Sequence, residues 1–314
     1  MMELDAFINR LRKNQRHWNK WARRRGITCY RLYDRDIPEF PLAIDWYEGQ
    51  VHAQVFARKG LEPLSDEDER LIGEAVCQTL DIPPAALAFK TRQRQRGLAQ
   101  YEKTGVRAHP SVVGEGGLRF EVDLHSYLDT GLFLDHRVTR GLVRDTAQGR
   151  RMLNLFAYTG SFTVYAAAGG ALATTSVDLS NTYQAWTARN LALNGFTGSE
   201  HELVRADVFN YLERAMLERR LFGLIVLDPP SFSNSKKMLE VLDVQRDHRR
   251  LIEACLQLLT PTGELIFSTN RRHFKLDPEL ESMRGCEEIT RQTLPEDFQR
   301  HTAHRCWRLR PFSG

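Results

Sequence analysis

The stretch Leu224–Lys236, LIVLDPPSFSNSK, decides the fold class of this 314-residue chain. It begins with an apolar run of strand length, stops at Asp228, Pro229 and Pro230, and continues as a polar segment. Proline cannot donate to a β-ladder and restricts the residue before it, so the strand must end here. Such an apolar run is typical of a parallel strand buried on both faces. Because open α/β sheets bind ligands beyond their strand ends, the stretch predicts a ligand site at Asp228.

Strands and helices alternate along the chain beyond Gly149, which predicts a doubly wound, mostly parallel sheet. Seven strands are expected: Met152–Phe156, Leu172–Val177, Glu202–Ala206, Leu224–Leu227, Glu264–Thr269, Glu287–Thr290 and Cys306–Leu309. Helices over Ser161–Ala168 and from Asn181 to about Asn194 follow the first two of them. This pattern predicts an α/β fold of the Rossmann-like kind.

The first part of the chain has a different organisation. Leu4–Arg25 has helical periodicity, with apolar residues on one face, basic residues on the other, and Gly26 as its stop signal. Short strands and one helix capped by Ser65 follow, and they predict a small α+β unit. We therefore expect a basic amphipathic helix over residues 1–26, a small α+β RNA-binding domain over 27–126 and the larger domain over 127–314.

Positive charge is concentrated in two segments, although the net charge is only +4. Met1–Arg35 carries ten Lys and Arg against three Asp and Glu, and Lys90–Arg107 carries six against one. Such concentration on an otherwise acidic molecule indicates a polyanionic partner such as nucleic acid, although solvated basic faces would look the same. Tyr101 is a candidate ring for base stacking or a partly buried loop aromatic. The candidate RNA-binding residues are Arg12, Arg16, Lys20, Arg23, Arg24, Arg92, Arg94 and Arg96.

Composition excludes several classes of protein. The N-terminus is charged where a secretory signal would be apolar, and no window approaches the roughly 20 apolar residues of a membrane span, so a cytoplasmic protein is expected. Five scattered cysteines without a CxxC pair indicate neither a disulfide framework nor a metal site.

Acidic residues close three consecutive strands of the predicted sheet: Asp178, Asp207 and Asp228. A carboxylate at the second strand end can accept both hydroxyls of a ribose, and one at the third can meet an adenine edge. Each could instead cap a helix, and the turn at Gly160 could be a simple strand-to-helix turn. Taken together, they predict a class I S-adenosylmethionine-dependent methyltransferase domain. The loop after Asp228 is stiffened by two prolines and fits a planar acceptor base, which must be flipped or unpaired to be reached.

Six segments resemble the 23S rRNA guanine-N7 methyltransferases, which form one half of a bifunctional large-subunit rRNA methyltransferase in some bacteria. They are NRLRKNQRHWNKWARRRGITCYRLYD at Asn9–Asp34, YLDTGLFLDHR at Tyr127–Arg137, LNLFAYTG at Leu153–Gly160, VDLS at Val177–Ser180, DPPSFSNSK from Asp228, and DVQRDH at Asp243–His248. The resemblance implies S-adenosylmethionine as cofactor and 23S rRNA, or a large-subunit assembly intermediate, as partner. The guanine-N2 half is absent from this chain, so a separate partner is expected to replace it.

The resemblance also implies roles for individual residues. The first strand exit would line the methionine part of the cofactor, with Asp135 and Arg137 closing over it, unless these two form a structural ion pair. The implied cofactor-binding residues are Asp135, Arg137, Asn154, Phe156, Ala157, Thr159, Gly160, Asp178, Leu179, Ser180, Asp207 and Asp228. The candidate catalytic residues are Asp228, Pro229, Pro230, Ser231, Phe232 and Asn270.

Two alternatives stay open at this point. An rRNA cytosine-C5 methyltransferase needs a thiolate at a strand end, whereas the fifth strand ends in Ser268, Thr269 and Asn270. A non-catalytic RNA-binding or ribosome-assembly protein would have no use for the three acids. DNA methylation at an exocyclic amine is disfavoured because Ser231 separates the second proline from Phe232.

Overall fold

The computed structural model describes residues 3–56, 64–92, 110–127, 129–233 and 241–311. The chain divides into two units. The first contains Met1–Gly117, Val122–Leu134 and Glu296–His301, and the second contains Leu118–Glu121, Asp135–Pro295 and Thr302–Gly314. In the described residues, no helix combines the length and the hydrophobicity that crossing a membrane requires.

The first unit is built on a four-stranded sheet in the order β1-β2-β3-β4, antiparallel except for the β3–β4 pair. Its elements are α1 (Asp5–Arg25), β1 (Cys29–Asp34), β2 (Leu42–Tyr47), β3 (Gln50–Phe56), α2 (Asp66–Leu80), β4 (Leu87–Arg92) and β5 (Ser111–Glu115). The apolar face of α1 is buried through Phe7, Leu11 and Ala22, and Gly26 ends the helix at φ 63°. Ser65 caps α2, as the sequence predicted, and Asp68 reciprocates by accepting the backbone N–H of Ser65.

The second unit contains the remaining elements, apart from Val122 at the end of β6. In chain order they are β6 (Leu118–Val122), α3 (Arg137–Thr146), β7 (Arg151–Leu155), α4 (Ser161–Ala168), β8 (Ala173–Asp178), α5 (Asn181–Leu193), β9 (His201–Arg205), α6 (Val208–Leu217), β10 (Phe222–Leu227), β11 (Phe232–Ser233), β12 (Leu242–Asp243), α7 (Val244–Gln257), β13 (Leu259–Thr269), α8 (Pro278–Glu281), β14 (Cys286–Glu288), α9 (Thr290–Thr293) and β15 (Arg305–Leu309).

The predicted seven-stranded, mostly parallel sheet is confirmed. Its order is β14-β15-β13-β10-β7-β8-β9, and β15 runs antiparallel to both of its neighbours. Strand β10 is buried along its whole length at the centre. Its last residue, Leu227, is in register with Leu155 of β7 and Phe267 of β13. The residues that follow these three, Asp228, Phe156 and Ser268, therefore lie side by side at one edge of the sheet.

Several boundaries differ from the predicted ones. The fifth parallel strand extends back to Leu259, and Thr290, predicted as the end of a strand, begins the short helix α9 instead. The sequence predicted a domain boundary after residue 126, whereas the first unit extends to Leu134. The reason is Tyr47, whose hydroxyl lies 2.9 Å from Thr130 Oγ1 and donates to the carbonyl of Leu132 at 3.1 Å.

The segment 296–301 also joins the first unit, which local sequence patterns did not indicate. Glu296 accepts hydrogen bonds from Trp21 and Arg25, and Asp297 accepts one from the backbone N–H of Arg31. These contacts are more than 260 residues apart in the chain, beyond the reach of any local pattern.

Candidate active site

The turn after β7 is tightly wound. Phe156, Tyr158 and Gly160 have φ angles of 57°, 52° and 74°. Positive φ at two non-glycine residues is strained and persists only where the surroundings enforce it, which occurs most often at functional sites. A Cβ at Gly160 would lie 2.3 Å from Thr187 Cγ2, so only glycine fits the space as well as the backbone angle.

Asp178 ends β8 and is held by main-chain donors. One carboxylate oxygen accepts the N–H of Tyr158 at 3.0 Å, and the other accepts the N–H of Ser180 at 2.8 Å. Burial raises the pKa of Asp178 to about 6, although these backbone hydrogen bonds oppose the rise. Asp178 therefore joins the turn after β7 to the start of α5, and its oxygens keep lone pairs for further donors such as hydroxyls.

Two other residues predicted to bind cofactor are helix caps. Asp207 accepts hydrogen bonds from the N–H groups of Phe209 and Asn210 and caps α6. Ser180 accepts from the N–H of Tyr183 and caps α5. Leu179 follows Asp178 directly and is partly exposed. The alternative considered for Asp207, a helix N-cap, is the one observed, and this use leaves capacity for a further hydrogen bond.

Asp228 lies directly beyond β10 and is held by side chains. Ser268 Oγ donates to its Oδ1 at 2.7 Å, and His136 Nε2 lies 3.6 Å from its Oδ2. Burial raises the pKa of Asp228 to about 6; the Ser268 hydrogen bond, His304 and Arg140 oppose the rise, and Asp135 adds to it. A quarter of the side chain, 26%, stays exposed, so the carboxylate can meet a ligand while titrating close to neutral pH.

The loop after Asp228 brings some of the candidate catalytic residues together. Ser231 Oγ donates to Asn270 Oδ1 at 2.6 Å, which links the β10 and β13 exits. Phe232 is 51% exposed and pairs with Asp243 across the short β11–β12 ladder. Pro229 and Pro230 connect these positions to the sheet. The following residues, 234–240, lie outside the described residues.

Two residues expected to line the methionine part of the cofactor are buried beneath the turn instead. Asn154 is 1% exposed and donates to Thr163 Oγ1 at 2.9 Å. Thr159 is fully buried, and its carbonyl accepts a hydrogen bond from Asn190. These surroundings assign Asn154 and Thr159 to supporting the turn from inside the unit.

The rest of the turn is unevenly exposed. Ala157 is 6% exposed and donates its N–H to the carbonyl of Val177, and Gly160 is buried as well. Phe156 and Tyr158 are partly exposed. A ligand at this strand exit would therefore meet Phe156 and Tyr158, of which the sequence reasoning selected only Phe156.

Asp135 and Arg137 have different surroundings. Asp135 Oδ2 lies 2.9 Å from His304 Nδ1 and 3.8 Å from His136 Nε2. Arg137 is the first residue of α3. Asp135 thus belongs to a cluster that includes two histidines, neither of which the sequence reasoning selected.

The family of the chain follows from its similarity to known proteins. A protein-family model described as S-adenosylmethionine-dependent methyltransferase matches residues 41–292. The chain belongs to this family. S-adenosylmethionine is its cofactor, and the crevice fits this ligand: the turn after β7 presents the partly exposed Phe156 and Tyr158, and Asp178 offers acceptor oxygens at the β8 exit.

The methyltransferase has relatives that match over nearly its whole length. It is 50% identical over 312 residues to ribosomal RNA large subunit methyltransferase K of Neisseria meningitidis serogroup B, covering 99% of this chain and 88% of that protein. It is 51% identical over 313 residues to ribosomal RNA large subunit methyltransferase K/L of Methylococcus capsulatus, covering 97% of this chain and 42% of that protein. This chain therefore spans less than half of the second relative.

A solved structure described as a methyltransferase complexed with SAH is similar at a TM-score of 0.78 and 26% identity, covering 98% of this chain and 82% of that one. A second, of a SAM-dependent methyltransferase from Streptococcus mutans, has a TM-score of 0.77 at the same identity, covering 98% of this chain and 81% of that one. The fold of the methyltransferase is thus shared with both.

Cysteine chemistry is poorly supported at the crevice of the methyltransferase. The described residues include all five cysteines, and none of them lies at the exit of β10 or of β13. Cys255 and Cys306 are fully buried, and burial raises the pKa of each thiol far above its usual range. Both are therefore protonated, and neither can act as the thiolate that carbon methylation requires.

The basic face of α1 lies on the surface of the methyltransferase's first unit. Arg12, Arg16, Lys20, Arg23 and Arg24 are all exposed, and within the described part of the chain no ion pair neutralises them. Arg94, Arg96, Tyr101 and the side chain of Arg92 lie outside the described residues.

One group in the described chain brings three possible metal-ligand atoms within 4.8 Å: Asp135, His136 and His304. The two imidazole rings stack with 4.1 Å between centroids and 14° between planes. Nitrogen lone pairs lie in the ring planes, so the lone pairs of parallel rings do not converge on one ion at the roughly 2 Å that metals require. We interpret the group as a hydrogen-bonded cluster.

Sequence reasoning missed both histidines for different reasons. His136 stands next to Asp135 in the quoted LDHR motif, and its neighbour and the following arginine were selected in its place. His304 is 169 residues from Asp135 in the chain, and no local motif surrounds it. Only the antiparallel return of β15 beside β13 brings it to the site.

Proposed function

We propose that this protein transfers a methyl group from S-adenosylmethionine to N7 of a guanine in 23S ribosomal RNA. The relatives named above as large-subunit rRNA methyltransferases support an rRNA substrate. One observation favours a nitrogen over a carbon as the methyl acceptor. Asp228 and Ser268 border the crevice where a cytosine-C5 enzyme would need a thiolate.

The chemistry fits the side chains at hand. S-adenosylmethionine, when bound, supplies an electrophilic methyl group on a sulfonium sulfur. Guanine N7 carries an in-plane lone pair, so its methylation needs neither a nucleophile from the protein nor a general base. The protein's contribution is then to position the base and to stabilise the charge that develops on it.

We propose that Asp228 stabilises that charge and that Asn270 binds the neighbouring edge of the base. Because Ser231 donates to Asn270 Oδ1, the amide nitrogen of Asn270 is turned away from Ser231 and can donate to guanine O6. Phe232, half exposed on the same loop, is the candidate for stacking on the flipped base.

For RNA binding we propose the exposed basic face of α1, which lies in the first unit. Phosphate contacts from Arg12, Arg16, Lys20, Arg23 and Arg24 would position the RNA without reading its sequence. Arg92, Arg94 and Arg96 remain further candidates on sequence grounds.

Charge reversal tests this assignment. The triple variant Arg12→Glu, Arg16→Glu, Arg23→Glu should lower RNA affinity at least about tenfold and reduce the slope of log affinity against log salt by about 2 to 3. A matched control reverses Arg70, Arg214 and Arg249, which are exposed or partly exposed but already paired with acids three or four residues away. Equal salt slopes for both triple variants would assign the α1 face to solvation alone.

The proposed activity is tested by incubating purified protein with labelled S-adenosylmethionine and naked 23S rRNA, followed by borohydride–aniline cleavage at 7-methylguanosine. We expect cleavage at one guanine. Label recovered only as 5-methylcytosine would establish the alternative carbon chemistry. Failure of the wild type to bind S-adenosylmethionine in calorimetry would instead favour a non-catalytic RNA-binding or assembly role.

We also propose that the substrate is free 23S rRNA or a large-subunit assembly intermediate in the cytoplasm. We propose that a guanine-N2 methyltransferase acts as a partner in this reaction, since relatives named K/L are more than twice as long as the part that this chain matches. Comparing methylation rates on naked rRNA and on isolated assembly intermediates tests the first point. Adding a guanine-N2 methyltransferase to the same assay tests the second.

A further inference from the structure

Asp228 forms a cluster of four side chains together with Asp135, His136 and His304. His136 Nε2 lies 3.6 Å from Asp228 Oδ2 and 3.8 Å from Asp135 Oδ2. His304 Nδ1 lies 2.9 Å from the same oxygen of Asp135. The histidines are 5% and 1% exposed, so this is an interior arrangement of two acids and two imidazoles.

The ring of His136 is held from several directions. One face stacks on His304 with 4.1 Å between centroids, and the Phe162 ring meets it in a T-shaped contact at 5.5 Å. Its other nitrogen, Nδ1, lies 3.3 Å from Thr139 Oγ1. His304 in turn contacts Thr293 Oγ1 at 3.3 Å as well as Asp135. Stacking and hydrogen bonds on both rings leave little freedom to reorient Nε2.

Each carboxylate oxygen of Asp228 has a polar side chain beside it. Ser268 donates to Oδ1 at 2.7 Å, and His136 faces Oδ2. The other titratable and charged groups that act on Asp228 are Asp135, Arg140, His304 and Cys306, from the segment before α3, from α3, and from the start of β15.

We propose that His136 is a positioning residue for Asp228: its Nε2 fixes the orientation of the Asp228 carboxylate and favours its ionised form during methyl transfer. The proposal rests on the function proposed above. In that reaction the N7 lone pair forms the new bond to the methyl carbon while the carbon–sulfur bond breaks, its electron pair staying on sulfur. One positive charge thereby moves from sulfur to the guanine ring and no proton is lost at N7. An ionised Asp228 beside the ring stabilises that charge, and a protonated one does not.

The pH dependence follows from this role. Burial raises the pKa of Asp228 to about 6, so an appreciable part of the protein carries a neutral Asp228 just below neutral pH. Removing the nitrogen of His136 takes away a favourable partner of the charged form and raises the pKa further. The acid side of the activity profile then moves to higher pH, and activity returns on the alkaline side.

Two variants separate the nitrogen from the ring. His136→Phe keeps a ring for stacking on His304 but has no N–H, whereas His136→Gln keeps an N–H donor without the ring. The titration of Asp228 is followed by NMR on protein labelled with ¹³C at aspartate carboxyls, without cofactor or RNA, and the signal is assigned by its disappearance in Asp228→Asn. His201→Phe is the matched control, because this histidine lies on the edge strand β9 at the far side of the sheet.

We expect His136→Phe to raise the midpoint of the Asp228 titration by about one pH unit and to lower kcat about tenfold at slightly acidic pH, with recovery under alkaline conditions. His136→Gln should stay within about threefold of wild type, and His201→Phe should leave the midpoint unchanged. An unchanged midpoint in His136→Phe, or an equal loss of kcat at every pH, would overturn the proposal. If His136→Phe does not fold, His136→Met takes its place.

The two readouts also separate this proposal from the function on which it rests. If wild-type protein forms no 7-methylguanosine, the proposed function fails, while a raised midpoint in His136→Phe still supports the action of His136 on Asp228. If wild type does form 7-methylguanosine and the midpoint does not move, the positioning role alone is overturned.

Discussion

Asp178 and Asp228 end two strands of one sheet, and burial raises the pKa of each to about 6. They differ in what holds them. Asp178 accepts two backbone N–H groups, from Tyr158 and Ser180, whereas Asp228 accepts a hydrogen bond from the side chain of Ser268 and faces His136 Nε2 at 3.6 Å. Burial thus raises the pKa of both carboxylates, although one is held by backbone N–H groups and the other has side-chain partners.

The difference indicates separate uses. Main-chain donors stay in place as long as the turn and the strand keep their shape, which suits a group that binds an invariant part of a ligand such as a ribose. Side-chain partners respond to single substitutions, which suits a group whose charge is matched to a reaction. We therefore expect Asp178 to serve affinity and Asp228 to serve the rate of transfer.

The largest expected effect separates these two uses directly. Asp228→Asn should lower kcat about 10²- to 10³-fold, because a neutral amide cannot stabilise the charge on the base. Its affinity for S-adenosylmethionine should stay within about threefold of wild type. Asp178→Ala should weaken that affinity at least about tenfold, through loss of the hydrogen bonds to a charged acceptor. Calorimetry and single-turnover kinetics measure the two quantities.

The same defect in both variants, whether in affinity or in rate, would contradict the division of roles. Asp207→Asn is the control for removing a carboxylate at a strand exit. This residue caps α6, and an asparagine caps a helix nearly as well.

A smaller effect concerns stability against pH. The folded pKa of Asp228, about 6, lies above its unfolded value, so the folded protein loses stability as pH rises through this range. Asp228→Asn removes that loss and should raise the free energy of unfolding by about 1 to 3 kcal/mol at about pH 8, with little change near pH 4. Urea unfolding at both pH values measures the difference.

Asp178→Asn should not show the same gain. One carboxylate oxygen would become an NH₂ group facing a backbone N–H, which costs about 1 to 3 kcal/mol for the unsatisfied donor. At about pH 8 it should therefore be less stable than Asp228→Asn by a similar amount. Equal stability of the two asparagine variants would show that the main-chain donors contribute little to holding Asp178.

The smallest effect is the difference, about 1 kcal/mol, between two glycine variants, one of which lies in the turn that supplies the N–H of Tyr158 to Asp178. Gly160→Ala combines a φ of 74° with a Cβ 2.3 Å from Thr187 Cγ2, and should destabilise the protein by about 2 kcal/mol and weaken cofactor binding. Gly195→Ala has a similar φ of 79° and open space around it, so about 1 kcal/mol is expected there, with unchanged binding. Thermal unfolding and calorimetry on both variants isolate the contribution of the steric contact.

The pattern of the sequence predicted most of the second unit because strands and helices alternate along it, with turn or helix signals between them. Strand β10 ends at Leu227, where the prolines of LDPPSF required it to end. The strand β13 was predicted too short, because its first residues, from Leu259, include Pro261 and Gly263, which weaken a strand pattern. Thr290 was assigned to a strand although it starts a single helical turn, which is too short to produce a periodicity.

At the site, the amino-acid sequence by itself determined the strand ends and hence the positions of Asp178, Asp207 and Asp228, since in a parallel sheet the chain must leave each strand at the same edge. Only the tertiary structure decided what each carboxylate does there. Asp207 caps a helix, and Asn154 faces the interior, because local packing claims their side chains. His304 reaches Asp135 from 169 residues away, a contact that no local pattern encodes because the pairing of β15 with β13 creates it.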